Sequence, residues 1–250
     1  RRFGKSLLVS TFKEIFSGNR EVLRHFFAVL KPADSYLRFV FFTGVSKFSK
    51  VSIFSGLNNL TDITVDARFS TILGITRDDV STYFKEYIDV LSEKEGEDHH
   101  KQIQSDFNEG EDHLKRKIKR WYNGYSWDGI NQVYNPTSLL TLFAKNKFGN
   151  YWFATGTPTF LIEIMRKKGY HIVEIEQTEV GEHIFDSFDI DTIDINFLLF
   201  QTGYLTIKKI EKFGEDYLYT LGSPNHEVFD VLLNYIMADF TGNPLSKIKP

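Results

Sequence analysis

Apolar positions 7, 8, 12, 15 and 16 share one helical face and the pattern stops at Gly18-Asn19, which predicts a helix over about 7–17. A second short helix is predicted over 21–31, ahead of Lys31-Pro32-Ala33-Asp34. The stretch Leu37-Arg38-Phe39-Val40-Phe41-Phe42-Thr43-Gly44 reads differently. It is an apolar run ending in Thr-Gly, the pattern of a strand buried on both faces of a parallel sheet. A Ser/Lys/Asn-rich loop over 44–62 and a short extended piece at 63–65 follow. Residues 76–92 then carry a helical pattern opened by Thr76-Arg77-Asp78-Asp79, whose acids favour a helix start.

The next stretch, 93–113, is polar and contains one pentad twice, as Glu95-Gly96-Glu97-Asp98-His99 and Glu109-Gly110-Glu111-Asp112-His113. Two copies of five residues do not make a repeat architecture, and the stretch is expected to be an exposed loop with a helix resuming at 114–122. Asn123-Gly124 and Asn135-Pro136 mark turns. Helices are predicted at 137–147 and 158–168, the latter with Thr157 as N-cap and Pro158 at its first position. In the last third, a helix at about 192–202 ends at Gly203, and strands at 204–210 and 216–221 flank Phe213-Gly214-Glu215. A helix then runs from Pro224-Asn225 to about 240. Helix, two-stranded ribbon, helix is the outline of a winged helix.

Composition narrows the class. With 250 residues, 42% hydrophobic and 25% charged, the chain is ordinary globular material rather than disordered, collagenous or coiled-coil. The 24 Phe and 12 Tyr promise a well-filled interior. The absence of cysteine excludes a disulfide scaffold, a thiol nucleophile and thiolate zinc sites, and suits a reducing cytoplasm, where the chain is expected. A net charge of −3 means that any nucleic-acid binding must come from a local patch. No apolar run approaches the roughly 18 residues of a membrane span, so no membrane partner is expected.

The chemistry-bearing motif stands at the start. Arg1-Arg2-Phe3-Gly4-Lys5-Ser6 fits the second half of the Walker A pattern and runs straight into the first amphipathic helix. Gly4 lets the backbone approach phosphate oxygens, and amides of the loop and helix start make an anion cradle. Lys5 brings a point charge to the β- and γ-phosphates, and Ser6 brings an oxygen to Mg²⁺. The competing reading is an ordinary helix N-terminus.

Five segments add to this motif: Arg1-Arg2-Phe3-Gly4-Lys5-Ser6-Leu7, Phe42-Thr43-Gly44-Val45-Ser46-Lys47-Phe48-Ser49, Trp121-Tyr122-Asn123-Gly124-Tyr125, Tyr134-Asn135-Pro136 and Trp152-Phe153-Ala154-Thr155-Gly156-Thr157-Pro158. In this order, over nearly the whole chain, they resemble the bacterial AAA-ATPase-like proteins that pair a P-loop ATPase with a nuclease-like domain of the PD-(D/E)XK class. The resemblance implies an ATP-binding core of the signalling-ATPase type, a helical lid and a winged helix. It implies that Arg2, Phe3, Gly4, Lys5, Ser6 and Leu7 hold nucleotide, with Ser6 also on the metal. It further implies that Thr43 senses the γ-phosphate beside Lys5, and that Pro158 in Gly156-Thr157-Pro158 lies against adenine. The sequence also departs from the family. No Walker B run of apolar residues ending in Asp lies within 7–38, so an internal loss near residues 17–21 is expected. The strand before Arg1 and the nuclease-like domain are missing from the sequence too, and the chain is read as a fragment. Without the Walker B carboxylates, hydrolysis by this chain is expected to be poor, and the intact parent protein is the better ATPase.

Other residues were weighed against plainer roles. Arg38 and Arg68 are read as solvated rather than phosphate-bound. His99, His100 and His113 are read as part of an acidic soluble loop rather than a metal site. Lys115-Arg116-Lys117-Ile118-Lys119-Arg120 before Trp121-Tyr122 is read as a solvated face with its aromatic end packed inward, in preference to a nucleic-acid patch. The stretch 193–202 holds Asp194 as its only ionisable residue, so a protein or intramolecular contact is favoured over DNA reading.

The expected architecture is an α/β P-loop NTPase remnant over 1–65, a helical lid over 66–180 and a winged-helix domain over 181–250. The expected function is ATP binding by a nucleotide-driven switch, with ATP and Mg²⁺ as cofactors and a protein or the nuclease-like domain as further partner. The alternative is a non-catalytic interaction or DNA-binding winged-helix module whose nucleotide site is lost.

Overall fold

The computed structural model describes residues 25, 28–29, 32–41, 43, 61–99, 107–152, 177–185 and 194–241. Helix α1 spans Arg77–Tyr83 and opens on a capping box: Asp79 N donates to Thr76 Oγ1 at 3.1 Å, and Thr76 N donates to Asp79 Oδ2 at 2.9 Å. Helices α2, Lys85–His99, and α3, Phe107–Tyr122, follow. Helix α4, Pro136–Lys145, starts where Asn135 Oδ1 accepts from Thr137 N and Ser138 N, and ends at Asn146 with a φ of 47°. The helical pattern expected over 76–92 is therefore broken at Phe84, which closes α1.

The polar stretch 93–113 is not a loop where it is described, because α2 runs on to His99 and α3 begins at Phe107. Glu93, Lys94 and His113, at the two edges of the stretch, are exposed. Gly96 and Gly110 each cost about 1 kcal/mol against alanine. Ile88 and Leu91 of α2 and Leu114 and Ile118 of α3 are buried in one cluster, at about 1.5–3 kcal/mol for each side chain. Burial wins, and Val80, Tyr122, Tyr134, Leu139, Leu142 and Phe143 complete that core.

The second core surrounds a three-stranded antiparallel sheet. Strands β1, Thr178–Gly181, β2, Thr206–Phe213, and β3, Asp216–Gly222, lie in the order β1-β3-β2. Gly214 has a φ of 66°, which suits the tight turn that pairs Phe213 with Asp216. Helix α5, Ile195–Gln201, is capped by Asp194, and α6, His226–Thr241, begins behind Asn225, whose Oδ1 accepts from Val228 N at 3.1 Å. The helix–ribbon–helix order expected from the sequence is present. Strand β1 was not anticipated, because its four residues, only partly buried, carry no clear alternation.

The segment 121–135 joins the two cores. Tyr122 belongs to the first and Tyr125 to the second. Isolated bridges pair Ile75 with Tyr134 and Tyr125 with Val133. Ser126 N donates to Thr206 Oγ1 at 2.7 Å, and that hydroxyl donates back to Ser126 O at 2.7 Å, stitching the segment to β2. Among the described residues, no helix is long and apolar enough to cross a membrane.

Candidate functional site

Arg2, Phe3, Gly4, Lys5, Ser6, Leu7 and Pro158 lie outside the described residues, as does the helix expected at 158–168. Thr43 is described and differs from expectation. Residues 37–41 and 43 form no strand, Thr43 is exposed, and Phe39 is 81% exposed. A strand of a parallel sheet is held by ladder partners on both edges, and none of the described strands pairs with this stretch. Phe39 and Phe41 instead stack on each other at 6.3 Å. Arg68 is spent locally, its guanidinium paired with Asp66 at 2.6 Å. His113 is exposed, and among the described residues no three His, Cys, Asp or Glu side chains converge as a metal site.

What the structure does build is a polar joint around the Trp121–Tyr125 motif. The Tyr122 hydroxyl accepts from Gly149 N at 3.1 Å and donates to Gly149 O at 3.0 Å. Glu227, in the first turn of α6, is fully buried. Its Oε1 accepts from Tyr151 N at 2.5 Å and from Trp152 N at 2.8 Å, so α6 grips the chain just past α4. Burial pushes the Glu227 carboxyl up to about 7, against the opposing pull of the Trp152 amide, the Ser138 hydroxyl and the Tyr151 amide. Glu227 Oε2 and Ser138 Oγ are both buried and have no hydrogen-bond partner among the described residues. Trp121 meets His226 edge-on at 4.7 Å, a second tie between α3 and α6.

The basic stretch of α3 divides by face. Ile118 and Tyr122 point into the core, as expected for its apolar positions. Arg116, Lys119 and Arg120 turn outward and, with Asn123, Gly124, Gln132 and Pro224, line an open hollow of about 270 Å³. Asp128 is the only acid between residues 113 and 132. Its carboxyl takes Ile130 N at 2.9 Å, Asn131 N at 2.8 Å and Asn131 Nδ2 at 2.7 Å. Burial raises its pKa, but these bonds outweigh burial and hold it at about 2.

Sequence reasoning missed Glu227 and Gln132. An acid two residues past an Asn cap looks like a routine dipole partner, and nothing local shows that Glu227 reaches Tyr151 and Trp152 instead. Helix α5 buries Ile195 and the whole of 197–200, and leaves only Asn196 and Gln201 half-exposed.

Comparison with known proteins adds a family signal. Residues 17–54 match the model of the AAA-ATPase-like family, described as a predicted AAA-ATPase. An uncharacterized protein encoded in the vnfD 5′ region of Azotobacter chroococcum mcd 1 is 38% identical over 239 residues. The match takes in 96% of this chain and 42% of that protein, so the chain spans less than half the length of this curated relative. No solved structure matches. Over residues 17–54, the chain is similar to AAA-ATPase-like proteins.

Proposed function

We propose that the chain binds Mg·ATP as part of a P-loop ATPase module that works as a nucleotide-driven switch. The observation that carries this reading is positional. Gly4-Lys5-Ser6 and the helical pattern over 7–17 stand N-terminal to the AAA-ATPase-like match at 17–54, as a phosphate loop and its helix stand at the head of such a core. Lys5 neutralises the β- and γ-phosphates, Ser6 ligates Mg²⁺, and the amides around Arg2, Phe3, Gly4 and Leu7 surround the phosphate tail. The metal supplies charge neutralisation of the phosphate oxygens. Thr43, with its exposed side chain, is open to the γ-phosphate, and Pro158 takes the adenine. On this reading the α/β remnant over 1–65 and the helices of 66–180 hold the nucleotide between them. The winged helix of 181–250 follows their movement. Hydrolysis belongs to the longer protein, since this chain offers no Walker B carboxylate between 7 and 38 to position the metal.

The Glu227 clamp supports the switch. It fastens α6 to Tyr151 and Trp152, which precede Gly156-Thr157-Pro158 by a few residues in the sequence, so on this reading the adenine element and α6 are joined by a short length of chain. The test is a thermal-shift titration with Mg·ATP. At a hundredfold excess over Kd the nucleotide adds about 2.7 kcal/mol, a rise of roughly 5–10 °C for a chain of this size. Lys5→Ala is expected to abolish the rise. A flat titration of the unsubstituted chain would remove the nucleotide reading and leave the interaction module.

A further inference from the structure

The hollow on α3 has no part in the nucleotide reading, yet its lining is chemically one-sided. Leu114, Ile118 and Tyr122 occupy the buried face of α3, which sets Arg116, Lys119 and Arg120 together at i, i+3 and i+4 on the opposite side. Like charges at that spacing repel by a few tenths of a kcal/mol per pair. The negative end of the helix offsets part of this, but its effective charge of about −0.5 does not cancel even Lys119 and Arg120 alone. No acid is among the described residues that line the hollow. A further cation reaches its rim from the sheet, where Lys208 Nζ donates to Pro224 O at 3.3 Å. Asn123 contributes an amide that is only 5% exposed and whose Oδ1 has no hydrogen-bond partner among the described residues. Concave walls that carry one sign of charge concentrate the field, and counter-ions with it.

We infer that this hollow is a second anion site that binds a phosphate group, distinct from Gly4-Lys5-Ser6. Arg120 and Lys119 hold the phosphoryl oxygens, and the Gln132 amide adds a neutral donor. The unpartnered Asn123 oxygen accepts from a hydroxyl on the phosphate or its sugar. About 270 Å³ falls just below the volume of sites for drug-sized molecules and suits a phosphate with its immediate substituent. No aromatic ring is among the described residues that line the hollow, so none of these stacks on a base. The chemistry recognised is the oxyanion alone, whether it comes from a nucleic-acid backbone or from a free diphosphate.

The experiment uses the full chain in a Lys5→Ala background, so that the proposed nucleotide loop contributes nothing. Pyrophosphate is titrated by calorimetry. A fluorescein-labelled single strand of about 20 nucleotides is titrated by anisotropy between about 50 and 200 mM KCl. The expected result is binding of at least one probe, weakened at least tenfold by Lys119→Ala with Arg120→Ala and unchanged by Lys212→Ala, four residues further along β2 than Lys208. All three substituted side chains are exposed, and circular dichroism checks that the fold persists. Strand binding whose salt slope falls by about 1.5 in the double variant identifies a nucleic-acid backbone. Pyrophosphate binding without strand binding identifies a small phosphorylated ligand. Failure of both probes, or binding indifferent to the double substitution, overturns the inference.

Discussion

Gly124 shows how little space the joint between the two cores leaves. Its φ of 117° lies in a region that side-chain-bearing residues rarely adopt, and a Cβ there would run into the Pro224 carbonyl oxygen. Alanine would suffer both penalties, backbone strain of about 1–3 kcal/mol and displacement of a packed neighbour at a similar cost. Gly124→Ala is expected to lower stability by about 3 kcal/mol in urea denaturation; a loss under about 1 kcal/mol would mean that Pro224 yields freely. Tyr122→Phe tests the same joint from the other side. It removes the hydroxyl that bonds both Gly149 N and Gly149 O, leaving that carbonyl only the Tyr151 N donor at 3.1 Å among the described residues, and is expected to cost about 1–3 kcal/mol by the same measurement. Asn123-Gly124 is readable as a turn from its residue types alone. That Pro224 sits against it is not, because the contact joins residues far apart in the chain.

Among the elements, α6 carries the sharpest prediction. Glu227 titrates near 7 in the folded protein against 4.5 for the free side chain, because burial disfavours its charge. Between those two values the folded chain keeps a proton that the unfolded chain has released. Stability therefore falls as pH rises through this window, by about 3 kcal/mol in all. Glu227→Gln keeps an acceptor for Tyr151 N and Trp152 N and supplies a permanent donor toward Ser138. Its stability is expected to lose this decline, so that urea midpoints at pH 5 and pH 8 differ less than those of the unsubstituted chain. An equal decline in both would place the titration elsewhere. The helices α2 and α3 carry a different lesson. Their polar pentads hid helices whose stability comes from four buried aliphatic side chains, and composition cannot report pairing between helices.

At the scale of the whole molecule, two cores share one joint. The first gathers α1–α4 and the second gathers α5, the sheet and α6, with Tyr122 and Tyr125 placed one in each. Bonds from Ser126 to β2, from Glu227 to residues 151–152, and the Trp121–His226 contact cross between them. The described parts are expected to unfold as a unit. Trp121 packs against the first core, and Trp127 and Trp152 belong to the second, so fluorescence from a Trp127→Phe/Trp152→Phe chain and from a Trp121→Phe chain reports the two separately. Each pair of urea transitions, fluorescence and circular dichroism, is expected to coincide; separated midpoints would show two independent units.

Features set by neighbours a few residues away were legible in the chain itself. The helix start at Thr76–Asp79, the turn at Asn135-Pro136, the Gly214 hairpin, the helix–ribbon–helix order and the Gly4-Lys5-Ser6 tripeptide all belong to this kind. Local preferences are worth from a few tenths of a kcal/mol to about 1 kcal/mol and need no partner elsewhere. Folding alone settled the burial of Glu227, the pairing of β1 with β3, and the meeting of Arg116, Lys119 and Arg120 with Pro224 around one hollow. It also left Phe39 and Phe41 uncovered by any described strand, against the strand that their apolar run predicted. Each of these rests on contacts between distant segments, where burial of a single side chain is worth about 1.5–3 kcal/mol and overrides the local preference.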